Sequence, residues 1–182
     1  MASRRSTYLE GQASFRVLIV GESGKGKTRL TSRIAMALAR VTGPGKVTAL
    51  DFAPHYKGVG MPLTVDRSLI RIIRPEGLKA PRLMSGDDCS VAWRLAKENS
   101  TLTTEALKAF IDEPTPILVI NDASIHLHAG DPGLLYAAIE EAVIFVGNSY
   151  LGSSLRDQCG IWDVEASRVK ELMERMDIVW RL

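Results

Sequence analysis

Cysteine is nearly missing from this chain of 182 residues, with Cys89 and Cys159 as its two examples. Two cysteines cannot build the dense disulfide framework of a small secreted domain, so the expectation is free thiols in a reducing, cytoplasmic compartment. Also missing is any apolar run near the roughly 18 residues that a membrane span needs. The opening MASRRSTYLEGQ is polar, lacks the apolar centre of a signal peptide, and reads as a loose tail over residues 1–13. Neither sign of charge is in excess. With 23 basic and 21 acidic residues the net charge is +2, which gives no bulk attraction to nucleic acid or to a membrane surface. Internal repeats, low-complexity segments and linkers are absent, so residues 1–182 read as one domain.

What is present is an alternation of short apolar runs with longer periodic ones. That pattern argues an α/β fold of three layers, a mostly parallel sheet with helices on both faces. Strands are expected at Phe15–Val20, Val47–Phe52, Leu69–Ile73, Ile117–Ile120, Val143–Val146 and Ile178–Trp180. Leu30, Ile34, Leu38 and Val41 form a helical stripe that Gly43 and Pro44 end. Val169, Leu172, Met173 and Met176 form another, with Asp163 as its expected N-cap and Glu165 in its first turn. Two helices, Asp87–Glu98 and Thr101–Asp112, fill most of the segment 76–114, which serves as a crossover or as a lid. DPGLLYAAIEEA gives a shorter helix with Pro132 in its first turn.

The sharpest signal follows the first strand. Gly21, Glu22, Ser23, Gly24, Lys25, Gly26, Lys27 and Thr28 satisfy G-x-x-x-x-G-K-[ST] in full, between a strand and a helix. A helix N-terminus carries unpaired N–H groups and partial positive charge, which suits phosphate. The glycines let the backbone curl around an anion without Cβ clashes. Lys27 then reaches the β- and γ-phosphates, the Thr28 hydroxyl reaches Mg²⁺, and Lys25 is expected in solvent.

This segment resembles the phosphate-binding loop of P-loop NTPases over residues 15–41. The resemblance implies an acidic residue at the end of another buried strand, and PILVIND supplies Asp122 for magnesium, with Asn121 as the competing position. Asp51 ends the second strand, a placement similar to that in the nitrogenase-iron-protein and septum-site-ATPase group. There the corresponding aspartate orients the attacking water, so the resemblance makes Asp51 the catalytic candidate beside Lys27. It also implies that Asn148, just after the fifth strand, touches the base. The chain departs from that group at Glu22, where the group carries a second lysine, and in NDASIHLHAGD, which replaces its usual switch. No N-K-x-D guanine signature occurs, so ATP is the expected nucleotide.

His126 and His128 in SIHLHAGDP are read on an extended segment as a metal pair, a switch, or most simply a surface loop. The glycine- and proline-broken DFAPHYKGVGMPLTVDR after Asp51 is expected to be a substrate or partner loop. Arg67, Arg71, Arg74, Arg82 and Arg94 follow, as clamps for a phosphorylated acceptor or as solvated side chains. Three functions stay open: an ATPase whose nucleotide state controls a protein partner or its own dimerisation, a small-molecule kinase, and a nucleotide-binding scaffold.

Overall fold

In the computed structural model, which describes residues 13–182, six strands form one all-parallel sheet. In chain order the elements are β1 (Phe15–Gly21), α1 (Lys27–Thr42), β2 (Val47–Asp51), β3 (Ile70–Ile73), α2 (Pro81–Met84), α3 (Cys89–Asp112), β4 (Ile117–Asn121), α4 (Ser124–Leu127), α5 (Pro132–Glu140), β5 (Ile144–Tyr150), α6 (Ile161–Met173) and β6 (Ile178–Arg181). Across the sheet the order is β3-β2-β4-β5-β1-β6. β5 therefore lies between β1 and β4, in register with both: Phe15 pairs Ile144, and Ile117 pairs Ile144 from the other side.

Successive strand residues face opposite layers, as the period of two requires. Leu50, Leu118, Ile120 and Phe145 pack with α3, α4, α5 and α6. Ala49, Val119 and Ile117 pack with Ala35 and Ala39 of α1 on the other face. Helices thus cover both faces, and β2 and β4 are buried from end to end. No helix among the described residues is long and apolar enough to cross a membrane.

Two helix assignments differ from expectation. Residues 89–112 form one helix, not two, because Asn99 does not break it. The Asn99 side chain donates to the Lys79 carbonyl and accepts from the Lys79 N–H, and the Thr103 hydroxyl bonds back to the Asn99 carbonyl. Asp88 caps this helix through the N–H groups of Ser90 and Val91. With Ala106, Leu107 and Phe110 in the main core, α3 is a layer of the fold, so the segment 76–114 is mainly a crossover. The last helix begins at Ile161, capped in position by Gly160, which places Asp163 inside its first turn. α5 starts at Pro132, as read, and the Asp131 side chain caps it by accepting the Gly133 N–H. Of the expected tail over 1–13, residues 1–12 lie outside the described residues.

The two cysteines are not free. Cys89, the first residue of α3, is disulfide-bonded to Cys159. This corrects the expectation of free thiols.

Candidate functional site

Between β1 and α1 the chain turns through Gly24 and Gly26, whose φ values of 77° and 85° lie in the left-handed region that favours glycine. Gly26 occupies the N-cap position of α1 and supplies no side-chain cap, so the first-turn N–H groups remain available to a ligand. Gly21 is required for a different reason. A Cβ there would lie 2.3 Å from the Leu182 carbonyl oxygen, because Leu182 continues the β6 ladder against β1. Lys27 folds back over the loop and donates to the carbonyls of Gly21 at 2.8 Å and Glu22 at 2.6 Å. Burial pulls the Lys27 ammonium below the usual lysine range, opposed by the carboxylates of Asp122 and Glu22.

These residues open into a cavity of about 850 Å³ at the carboxyl ends of the strands. Ser23, Gly24, Lys25, Gly26, Lys27 and Thr28 line it, and so does Asp122. The loop of residues 54–64, expected to hold a substrate or partner, also borders the cavity. Asp122 follows β4 with φ 59°, a conformation uncommon for a non-glycine residue. Burial pushes its carboxyl above the usual range. The Ser124 hydroxyl, which donates to Oδ1 at 2.7 Å, pulls the other way, Glu165 raises it further, and His128 and Lys27 lower it. Asn121, the alternative position for magnesium, does not line the cavity. It is fully buried, donates to Asp51 and to the Met61 carbonyl, and accepts from Asn148.

Asn121 belongs to a chain of bonds that ties the strand ends together. Arg74 donates to Asp51 through Nε at 2.8 Å and Nη2 at 2.5 Å. Asn121 donates to the other oxygen of Asp51 at 2.7 Å. Asn148 donates to Asn121 at 2.8 Å and to the Thr31 hydroxyl of α1 at 2.9 Å, and accepts the Asp122 N–H at 3.0 Å. Thr31 in turn donates to the Lys27 carbonyl at 3.0 Å. The network fixes Asp122 and the first turn of α1 relative to each other. Satisfied buried networks of this kind rigidify what they join.

Against this geometry several expected roles change. Asp51 is 0% exposed and absent from the cavity wall; besides Arg74 and Asn121 it accepts the N–H groups of Leu63 and Ala53. That is the environment of an anchor for the 52–64 loop, not of a group that orients water. Asn148 lines the cavity, but both its N–H groups are used inside the fold, which leaves no donor for a base. Glu22 turns its carboxylate away from the loop, onto the N–H groups of Ser153 and Ser154 and the Ser154 hydroxyl. Those bonds lower its pKa from 4.5 to about 2, the Ser154 hydroxyl contributing most. A Cβ at Gly152 would collide with this carboxylate, so the glycine admits the contact.

The histidine pair is neither extended nor on the surface. Residues 124–127 form the single turn of α4, and both rings are buried. His126 contacts the Thr103 hydroxyl and the Asp131 carbonyl, and burial lowers its pKa. His128 lies 3.3 Å from Glu165, and its Nδ1 has no partner among the described residues. No group of three or more His, Cys, Asp or Glu is placed to hold a metal among the described residues.

Arg71 pairs with Glu113, and Arg94 with Glu98, at the surface. Arg82 does not behave like them. It lines the cavity and forms a buried pair with Glu165 beside Tyr150, a cluster that sequence reading did not assemble. One signal was available: Glu165 falls on the buried stripe of α6 with Ile161, Val169 and Leu172, where a lone carboxylate needs a partner. No protein-family model matches the chain, and no curated protein matches it.

Proposed function

We propose that this protein binds ATP with Mg²⁺ and hydrolyses it, its nucleotide state acting as a switch for a protein partner or a second copy of itself. The observation that carries the reading is the convergence of Lys27, Thr28 and Asp122 on one cavity, at the N-terminus of α1. The loop amides and Lys27 hold the phosphates, with the Lys27 ammonium exchanging its carbonyl partners for phosphate oxygens. Thr28 and Asp122 fit magnesium, since both offer hard oxygens and a phosphate-bound Mg²⁺ needs only one or two protein ligands. When bound, the metal neutralises charge on the phosphate oxygens. The Asn148–Thr31 bonds keep Asp122 and α1 in place throughout.

One observation favours a second reading, phosphoryl transfer to an anionic acceptor. The cavity continues along α1 past Arg29, Arg33 and Arg40, facing the 54–64 loop, which leaves room beside a nucleotide. Steady ATP turnover without an acceptor supports hydrolysis, and turnover only with an added phosphorylated metabolite supports the kinase.

Lys27→Ala tests the nucleotide site itself. It should weaken binding of a fluorescent ATP analogue in Mg²⁺ by about 100-fold, since hydrogen bonds to charged groups contribute roughly 1.5–3 kcal/mol each and this ammonium makes several. Unchanged affinity would remove the phosphate assignment.

A further inference from the structure

We propose that Arg82 distinguishes a triphosphate from a diphosphate, by leaving Glu165 for the γ-phosphate. The inference rests on the nucleotide reading above. Arg82 stands on α2, at the wall of the cavity, with its side chain 9% exposed, and grips Glu165 of α6, which is 1% exposed. The grip is bidentate, with Nη1 to Oε2 at 2.5 Å and Nη2 to Oε1 at 3.3 Å. Its guanidinium lies 5.0 Å from the centroid of the Tyr150 ring, and the Lys27 ammonium lies 5.9 Å from the same centroid. One aromatic ring therefore neighbours both the phosphate lysine and this arginine.

A buried ion pair is a poor device for stability alone, because desolvation offsets much of its attraction. At a phosphate site it has a second use. The guanidinium fork that matches a carboxylate also matches two phosphate oxygens, so a γ-phosphate competes for it directly. Departure of Arg82 does not strand the carboxylate, since His128 Nε2 remains 3.3 Å from Glu165 Oε1. A diphosphate offers no such competitor beyond Lys27, and Arg82 stays on Glu165. A purely static clamp of α2 onto α6 predicts something different, because loss of either partner would then act on both nucleotides alike.

The experiment measures binding of mant-ADP and of a non-hydrolysable mant-labelled ATP analogue, each in Mg²⁺, to the full chain. Arg82→Met should lower the triphosphate-to-diphosphate affinity ratio about tenfold or more, the loss expected for a charge-assisted contact. Glu165→Gln removes the competing charge and should raise that ratio several-fold. This rise is an outcome no static clamp produces. The double variant R82M/E165M leaves neither charge unpaired; it should fold, as checked by circular dichroism, and reproduce the low ratio even where R82M alone does not fold. A ratio unchanged in R82M or in the double variant, or not raised by Glu165→Gln, overturns the proposal. Wild-type protein that binds neither nucleotide overturns the nucleotide reading itself, a result distinct from both.

Discussion

Asp51 and Asp122 both end buried strands in acidic side chains, yet their surroundings divide them. Asp51 accepts from Arg74, Asn121 and the backbone of the loop it begins, and no part of it lines the cavity. Asp122 lies one residue past its strand, in the left-handed region, and lines the same cavity as Lys27. The sequence could not separate them, because a carboxylate after an apolar run looks the same whether it caps a loop or faces a ligand. Register at the strand end decides. Asn121 completes β4 and is consumed inside the fold, which delivers the next residue to the site. Asp51→Asn should therefore act on stability. It places an amide against Arg74 and the Leu63 N–H, and should cost about 2 kcal/mol by the usual worth of a charged hydrogen bond, reduced because Arg74 is partly exposed. ATP turnover per folded molecule should stay within about tenfold of wild type, whereas loss of a positioning group costs about 100-fold or more. Urea titration and single-turnover hydrolysis on the same preparation check both halves. A hundredfold loss of rate in a stable Asp51→Asn protein would restore its catalytic role.

At the scale of elements, β5 carries the consequence that composition and periodicity could not reach. All six strands were readable as apolar runs, and their observed limits fall within a few residues of expectation. Their lateral order was not readable, since strand pairing depends on crossovers that leave no mark in local pattern. The order puts β5 between the loop strand and β4, and so puts Asn148 between Thr31 of α1 and Asn121 of β4. From sequence, Asn148 looked like a residue beyond the strand end with a free amide. It is instead buried within β5. Asn148→Ala leaves the Asp122 N–H and the Asn121 side-chain amide oxygen without their partner, and should destabilise the fold by about 2–6 kcal/mol, at about 1–3 kcal/mol for each unsatisfied group. Preference for ATP over GTP should not change, because both amide N–H groups are held by Thr31 and Asn121. Chemical denaturation together with nucleotide competition tests this. Lost selectivity at undiminished stability would return Asn148 to the base site.

Across the whole molecule, what the sequence concealed are contacts between distant segments. Glu22 holds residues 153–154, Arg82 holds Glu165, and Cys89 holds Cys159. Each pair joins side chains far apart in the chain, and single-sequence periodicity carries no information on such pairing. Cysteine scarcity was read as reduced thiols, yet two cysteines suffice for one crosslink when the fold brings them together. The bond ties the start of α3 to the segment before α6, over a sequence separation of 70 residues. Around it lies a small apolar cluster of Ala92, Ala96 and Ile161, against which Trp93 packs while donating to the Cys159 carbonyl. Closing a loop of that length restricts the unfolded chain, and the entropic model gives about 4 kcal/mol. For a domain of this size that corresponds to a Tm lower by about 10 °C once the bond is lost. The contacts among Ala92, Ala96, Ile161 and Trp93 are made by groups other than the sulfurs, so the reduced protein should still fold. The check is calorimetry of the oxidised protein, of the protein in dithiothreitol, and of C89S/C159S, with thiol content established by mass after alkylation. The last two should melt together and below the first. Equal melting in all three would mean that the crosslink adds nothing the Trp93 cluster does not already hold.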